Sequence, residues 1–156
     1  MTSPSQIWAR AAILVARLIF AAVFGMAMAF KFAGIHNTAS YIAAAGFPFA
    51  VFLAWIAAFF ELALVLCFLT GAFFTEAAIA AAAYVLFLAI AFHGPAHWSK
   101  SQDEFGFFVD HFVFLAGLLF AAVHGPGDVL ALTRARLIAT PNRRIAEGSR
   151  VSPIGP

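Results

Sequence analysis

Six ionisable side chains stand inside or at the ends of long apolar runs: Arg17, Lys31, Glu61, His93, Asp110 and His111. A charge at the centre of a bilayer costs about 2.5 to 3.5 kcal/mol on insertion scales, so such groups turn inward and find partners. Glu61, within "IAAFFELALVLCFLTG", has apolar residues on both sides for several helical turns. A glutamate beside a buried cation holds two helices in register, or it lines a polar pocket for a proton or for the head of a lipophilic ligand. The residue types alone leave both readings open.

The histidines admit several chemistries. Zinc requires three or four converging ligands, whereas a Gly94-Pro95 break separates His93 from His97 instead of setting them one turn apart. Haem held between facing helices requires two histidines at equal depth, and His93 and His111 differ by about 8 Å counted along their helices. For each histidine alone the plain reading is a loop or interfacial residue. A quinone site asks for less: a hydrogen-bonding His or Asp, a cation, and aromatic walls near the membrane surface. Lys31, His93, Asp110 and His111 gather near one end of the apolar segments to supply these, with His36 and His97 in adjoining loops. The single cysteine, Cys67, rules out an internal thiol pair and a Cys-based zinc site. No GxGxxG opens a helix after a strand, so there is no flavin or nucleotide motif, and no haem motif either. Any electrons must pass through a bound quinone or a partner protein.

These side chains have to be positioned by helices. Of the 156 residues 64% are hydrophobic and 10% charged, far below the roughly 25% charged of soluble domains. The alternating ten-residue segments of an outer-membrane barrel are absent, so the spans are helical. The expected fold class is all-α, an integral membrane four-helix bundle with spans near 7–30, 48–69, 75–92 and 105–123. Each is close to the ~20 residues that cross a bilayer. A short interfacial helix is expected near 39–45, capped by Asn37 and ended by Gly46. Pro48 fits the first turn of the second span, and "TGAFFT" makes the second and third spans antiparallel neighbours. The "MAMA" at 26–29 resembles a signal-cleavage site, but Arg17 interrupts the apolar run before it, so this segment is read as the first span.

Arg10, Arg17 and Lys31 follow one another at seven and fourteen residues, which puts them near one stripe of the first helix. Arg17 is 13 residues from Phe30, and Glu61 is 13 residues from Pro48. At 1.5 Å per residue both lie ~20 Å from the ends where the two helices meet. This count predicts a structural ion pair between Arg17 and Glu61, with Ala54, Ala57 and Ala58 leaving room for the neighbouring backbone. Asp110, Phe114, Gly117, Ala121 and His124 share one face of the last span, where another helix can approach its small residues.

The net charge of +2 hides a tail bias, since Arg134, Arg136, Arg143, Arg144 and Arg150 all follow the last span. That bias reads as a topology signal and not as a nucleic-acid surface. With Arg10 on the same side, the positive-inside rule places both termini in the cytoplasm. Residues 1–128 then form the transmembrane domain and 129–156 a basic cytoplasmic tail. In that tail "VLALTRARLIA" either lies along anionic lipid or is disordered, and the rest is unstructured.

Taken together these landmarks resemble the DoxX family of small four-helix bacterial membrane proteins, over about residues 14–128. The resemblance rests on Arg17 in "LVARLIFAAVFGMAMAFKFAG" with Lys31 and Gly34 at its end, and on Gly46-Phe47-Pro48 before the second span. Glu61 in "ELALVLCFLTG", His93 closing the third span and Gly125-Pro126-Gly127 closing the fourth complete it. It departs from the family where Glu76 follows Thr75, a turn that often carries a basic residue. The resemblance implies a role in quinone-linked redox metabolism, since some members are subunits of thiosulfate:quinone oxidoreductases and others serve redox homeostasis through partner proteins. Glu61, Arg17 and His93 are then the catalytic candidates, and Lys31, His93, Asp110 and His111 the ligand-binding ones. The implied partners are membrane lipid, a quinone, and a soluble redox protein or further copies of the chain. The alternatives are a non-catalytic scaffold for such a partner, and a proton or small-solute pathway.

Overall fold

The computed structural model describes residues 3–99 and 101–132, and most of them are helical. The chain runs through α1 (Pro4–Ala33), α2 (Ile35–Ala44), α3 (Ala50–Thr70), α4 (Phe74–His93), a 3-10 turn (Pro95–His97) and α5 (Gln102–His124). Four of these helices are long and apolar enough to cross a membrane. The chain is therefore an all-α multi-pass membrane protein. Large apolar side chains such as Trp8, Phe30, Phe52, Phe120 and Val123 face outward, as they do when hydrocarbon replaces water as the solvent.

Local chemistry explains where the helix ends depart from the expected spans. α1 starts early because Ser3 and Gln6 form a capping box, the Ser3 hydroxyl accepting from Gln6 N and the Gln6 side chain accepting from Ser3 N. α5 likewise starts at Gln102, because the Ser101 hydroxyl caps Asp103 N and two acidic residues occupy its first turn. Asn37 is not a cap: α2 follows α1 after Gly34 alone, and Asn37 lies inside it. Pro48 is not in the first turn of α3 either, since Phe49 adopts a left-handed conformation (φ 54°) before the helix begins at Ala50. The "TGAFFT" turn is as tight as expected, with Gly71 (φ 73°) ending α3 and Phe73 (φ 51°) preceding α4.

The helices pack as two close pairs, α1 with α3 and α4 with α5. The pairs meet over an aromatic core: Phe68 of α3 touches Phe20 and Phe24 of α1 and Phe74 of α4, and Phe114 of α5 touches the same α1 rings. The buried Ala77, Ala78, Ala81 and Ala82 of α4 join this core and allow close helix approach. Away from the core α3 and α4 touch little despite their short connection. The gap is roofed by α2, whose Ala39 and Ile42 pack with Ala54 and Phe92.

The segment after α5 folds back under the aromatic core. Arg17, 1% exposed, donates from Nη1 to the Pro126 carbonyl at 3.0 Å and from Nη2 to the Leu130 carbonyl at 2.9 Å. Leu132 N donates to the Thr70 carbonyl, and Ala131 is buried against Gly71, where an added Cβ would lie 3.0 Å from that of Ala131. Arg10 reaches Asp128 at 2.7 Å, an exposed pair that contributes little. The packed chain thus continues to Leu132. The remaining tail, with most of "VLALTRARLIA" and the five tail arginines, lies outside the described residues.

Arg17 therefore fastens the returning segment to α1, and hydrogen bonds from a charged donor are worth about 1.5 to 3 kcal/mol each. Arg17→Met should lower unfolding stability in detergent micelles by about 2 to 4 kcal/mol. Arg17→Lys, with one ammonium against two divergent carbonyls, should recover part of it. Unchanged stability in Arg17→Met would show that the segment is held by other contacts.

Candidate functional site

Glu61 lies mid-way along α3 and is 1% exposed. Its neighbours are set by helix register. Gly25 of α1 faces Val65 of α3, and the helices run antiparallel, so one turn back along α3 from Val65 meets the end of α1 near Lys31. Lys31 Nζ donates to Glu61 Oε1 at 2.7 Å, and the Tyr84 hydroxyl of α4 donates to the same oxygen at 3.0 Å. One carboxylate oxygen thus ties together α1, α3 and α4. The other, Oε2, is buried with no hydrogen-bond partner among the described residues.

The expected Arg17–Glu61 ion pair is corrected by this register. Counting both residues from the helix ends assumed that those ends lie level. α3 instead runs on from Glu61 for about 16 Å towards its start, beside α2, whereas α1 stops two residues after Lys31. Arg17 consequently lies at the far end of the aromatic core, and Lys31 takes the place assigned to it. The Lys31 stem spans the remaining depth, the whole side chain only one-fifth exposed.

Two cavities meet at this polar group. The larger, about 1170 Å3, runs between α3 and α4 beneath α2 and is walled by Ile42, Leu53, Phe60, Phe87 and Phe92, with Lys31, Tyr41, Tyr84, His93 and His111 at its polar points. The smaller, about 330 Å3, lies between α1 and α5 and is lined by Phe24, Lys31, Glu61, Tyr84, Asp110, His111 and Phe114. Lys31, Tyr84 and His111 border both. The larger exceeds the usual 300 to 1,000 Å3 of small-molecule pockets.

Of the six ionisable residues, five therefore converge here, and Arg17 borders neither cavity. His93 Nδ1 pairs with Glu104 Oε2 at 2.8 Å, and its carbonyl accepts from Trp98 Nε1 at 2.9 Å. His111 Nδ1 bonds the Phe107 carbonyl at 2.6 Å, and its ring lies 5.0 Å from that of His93 between centroids. The 8 Å offset expected between these histidines is thus corrected. α5 extends past the end of α4, so that both Glu104 in its first turn and His111 further along reach His93, and the two histidine rings contact each other with their Nδ1 atoms already engaged. Among the described residues no three His, Cys, Asp or Glu side chains are grouped to hold a metal ion. In α2, loss of solvation and then the charge of Glu104 raise the Tyr41 hydroxyl above its ordinary range, keeping it neutral.

Two site residues were not anticipated, Tyr84 and Glu104. Tyr84 is one of two tyrosines in the chain, set in an alanine-rich run. A buried phenol requires a hydrogen-bond partner, and that requirement was the available signal. Glu104 carries only the generic signal of an acidic first turn.

The DoxX family model matches residues 12–94, which include Arg17, Lys31, Glu61, Tyr84 and His93. No curated protein matches the chain. No solved structure matches it either.

If Lys31 and Glu61 are the coupled pair, then Lys31→Met and Glu61→Gln should show an interaction energy of about 1 to 3 kcal/mol in a double-mutant cycle of unfolding. Arg17→Met and Glu61→Gln should add to within about 0.5 kcal/mol. Additivity at Lys31 together with coupling at Arg17 would restore the register expected from sequence.

Proposed function

Starting from the fact that this chain belongs to the DoxX family, we propose that it is a quinone-binding subunit in a redox process of the bacterial inner membrane. The observation that carries this reading is the apolar cavity of about 1170 Å3 that ends on Lys31, Tyr84 and His93 and adjoins the buried Glu61. A polyprenyl-type tail suits the phenylalanine walls, and an oxygenated ring suits the polar end. The fit is supported by Lys31, whose ammonium keeps protons free for a ring oxygen after bonding Glu61. A quinone bound there supplies two-electron, two-proton redox chemistry.

The chain's own residues divide the work of holding such a group. Lys31 has two ammonium protons beyond the one given to Glu61 and directs them to a ring oxygen. Glu61 and His111 are placed to hold or pass protons, His111 through the nitrogen left once Nδ1 has bonded Phe107. His93 is held by Glu104 at the rim of the larger cavity. The single cysteine leaves no internal thiol pair, and a partner protein supplies the electrons to the ring. A thiosulfate:quinone oxidoreductase-type assembly is one such arrangement in the family.

We place both termini in the cytoplasm. In support, the start of α1 and the segment after α5 lie at the same end of the bundle, joined by Arg10 and Asp128, and five arginines come after that segment in the sequence. The polar cavities then face the opposite membrane surface.

Protein extracted in mild detergent should retain quinone at near-stoichiometric amounts in its organic extract. Lys31→Met should reduce affinity for added short-chain quinone by about tenfold, the loss of one charge-assisted hydrogen bond. Extracts without quinone, combined with stoichiometric retention of a soluble enzyme, would replace this reading with a membrane scaffold.

A further inference from the structure

The hydrogen-bonding capacity around the smaller cavity is unbalanced. Glu61 Oε1 accepts from both Lys31 and Tyr84, which uses its two lone pairs. Glu61 Oε2 is buried and unpartnered, and an ionised carboxylate oxygen only accepts. Tyr84 has spent its single proton on Glu61, so its oxygen is left as an acceptor. His111 holds the Phe107 carbonyl through Nδ1, which must carry the proton, so a neutral ring presents Nε2 as an acceptor. Asp110, on the same wall, adds a second carboxylate. Against these four acceptors stands one donor group, Lys31, with two protons left after its bond to Glu61.

A quinone ring offers two carbonyls, which accept and never donate. A hydroquinone offers two hydroxyls, each of which donates and accepts. We propose that this site selects the reduced, hydroxyl-bearing form, with one ring hydroxyl donating to Glu61 Oε2. The proposal rests on the quinone-site reading above and specifies which redox form is held. A carbonyl brought to Oε2 leaves that oxygen buried without a donor, and an unsatisfied buried acceptor is costly. A hydroxyl there satisfies it with a charge-assisted bond. Lys31 is then free to donate to the ring oxygen of the same hydroxyl or to a ring substituent.

The test uses the full chain in lipid nanodiscs under anaerobic conditions, with isothermal titration of three probes: a decyl-substituted benzoquinone, its hydroquinone, and the dimethyl ether of that hydroquinone. The expected result is hydroquinone binding at least about tenfold tighter than the quinone, a difference of about 1.4 kcal/mol, with the ether no tighter than the quinone. Glu61→Gln offers an amide that donates as well as accepts, and it should bring the ratio of the two affinities to about one or below. Quinone binding as tight as hydroquinone, or ether binding as tight as hydroquinone, overturns the proposed selectivity and leaves the quinone site standing. Binding of none of the three probes overturns the quinone-site reading together with it. A preference that survives in Glu61→Gln overturns the assignment to Glu61. If that variant does not fold, the comparison of ether with hydroquinone in the unaltered protein still decides the matter.

Discussion

The bundle depends on one buried carboxylate. Glu61 is almost wholly enclosed, and a lone charge in that position is too costly to keep. Lys31 from α1 and Tyr84 from α4 converge on its Oε1 atom, so three helices are fixed in register by one atom. Slipping α1 against α3 by a single turn would leave the carboxylate without its cation. That constraint accounts for the shape of the fold near it. α1 ends just past Lys31, α3 continues outward, and α2 covers the difference.

The two halves of the bundle have different chemistry because different contacts hold them. On the side of the termini, Phe20, Phe24, Phe68, Phe74 and Phe114 close the interior, and Arg17 fastens the chain after α5 across it. Arg17, the buried charge of that half, lines neither of the two cavities. On the other side α3 and α4 separate, and the room between them is walled by aromatic rings and edged with Lys31, Tyr84, His93 and His111. The two buried charges among the described residues accordingly have separate tasks. Arg17 holds main-chain carbonyls that lack helical partners, and Glu61 stands at the polar end of a chamber fit for a lipophilic molecule.

How far this was legible in the residues varies from element to element. Four apolar runs, the Gly71 turn and the helix between the first two spans follow from composition and punctuation, because hydrophobic length and glycine conformation act locally. The early starts of α1 and α5 were also written locally, in Ser3 with Gln6 and in Ser101 with Asp103, as capping signals beyond the apolar runs. That Glu61 requires a cation was legible as well, since the energetics of burial apply wherever the residue is placed. The choice of cation was not. Arg17 and Lys31 lie on the same stripe of α1, and both satisfy the rule that a buried carboxylate finds a positive partner.

What the amino-acid sequence determined by itself was the membrane class, the number of spans and the set of polar residues that had to be hidden. The tertiary structure decided which of them meet. The relative height of two antiparallel helices is set by packing between residues distant in the chain, here Gly25 against Val65 and Phe20 and Phe24 against Phe68. Helix geometry gives the spacing along one rod and leaves its offset against another open. That offset moved Glu61 from Arg17 to Lys31, brought His111 beside His93, and placed Tyr84 where its hydroxyl completes the site.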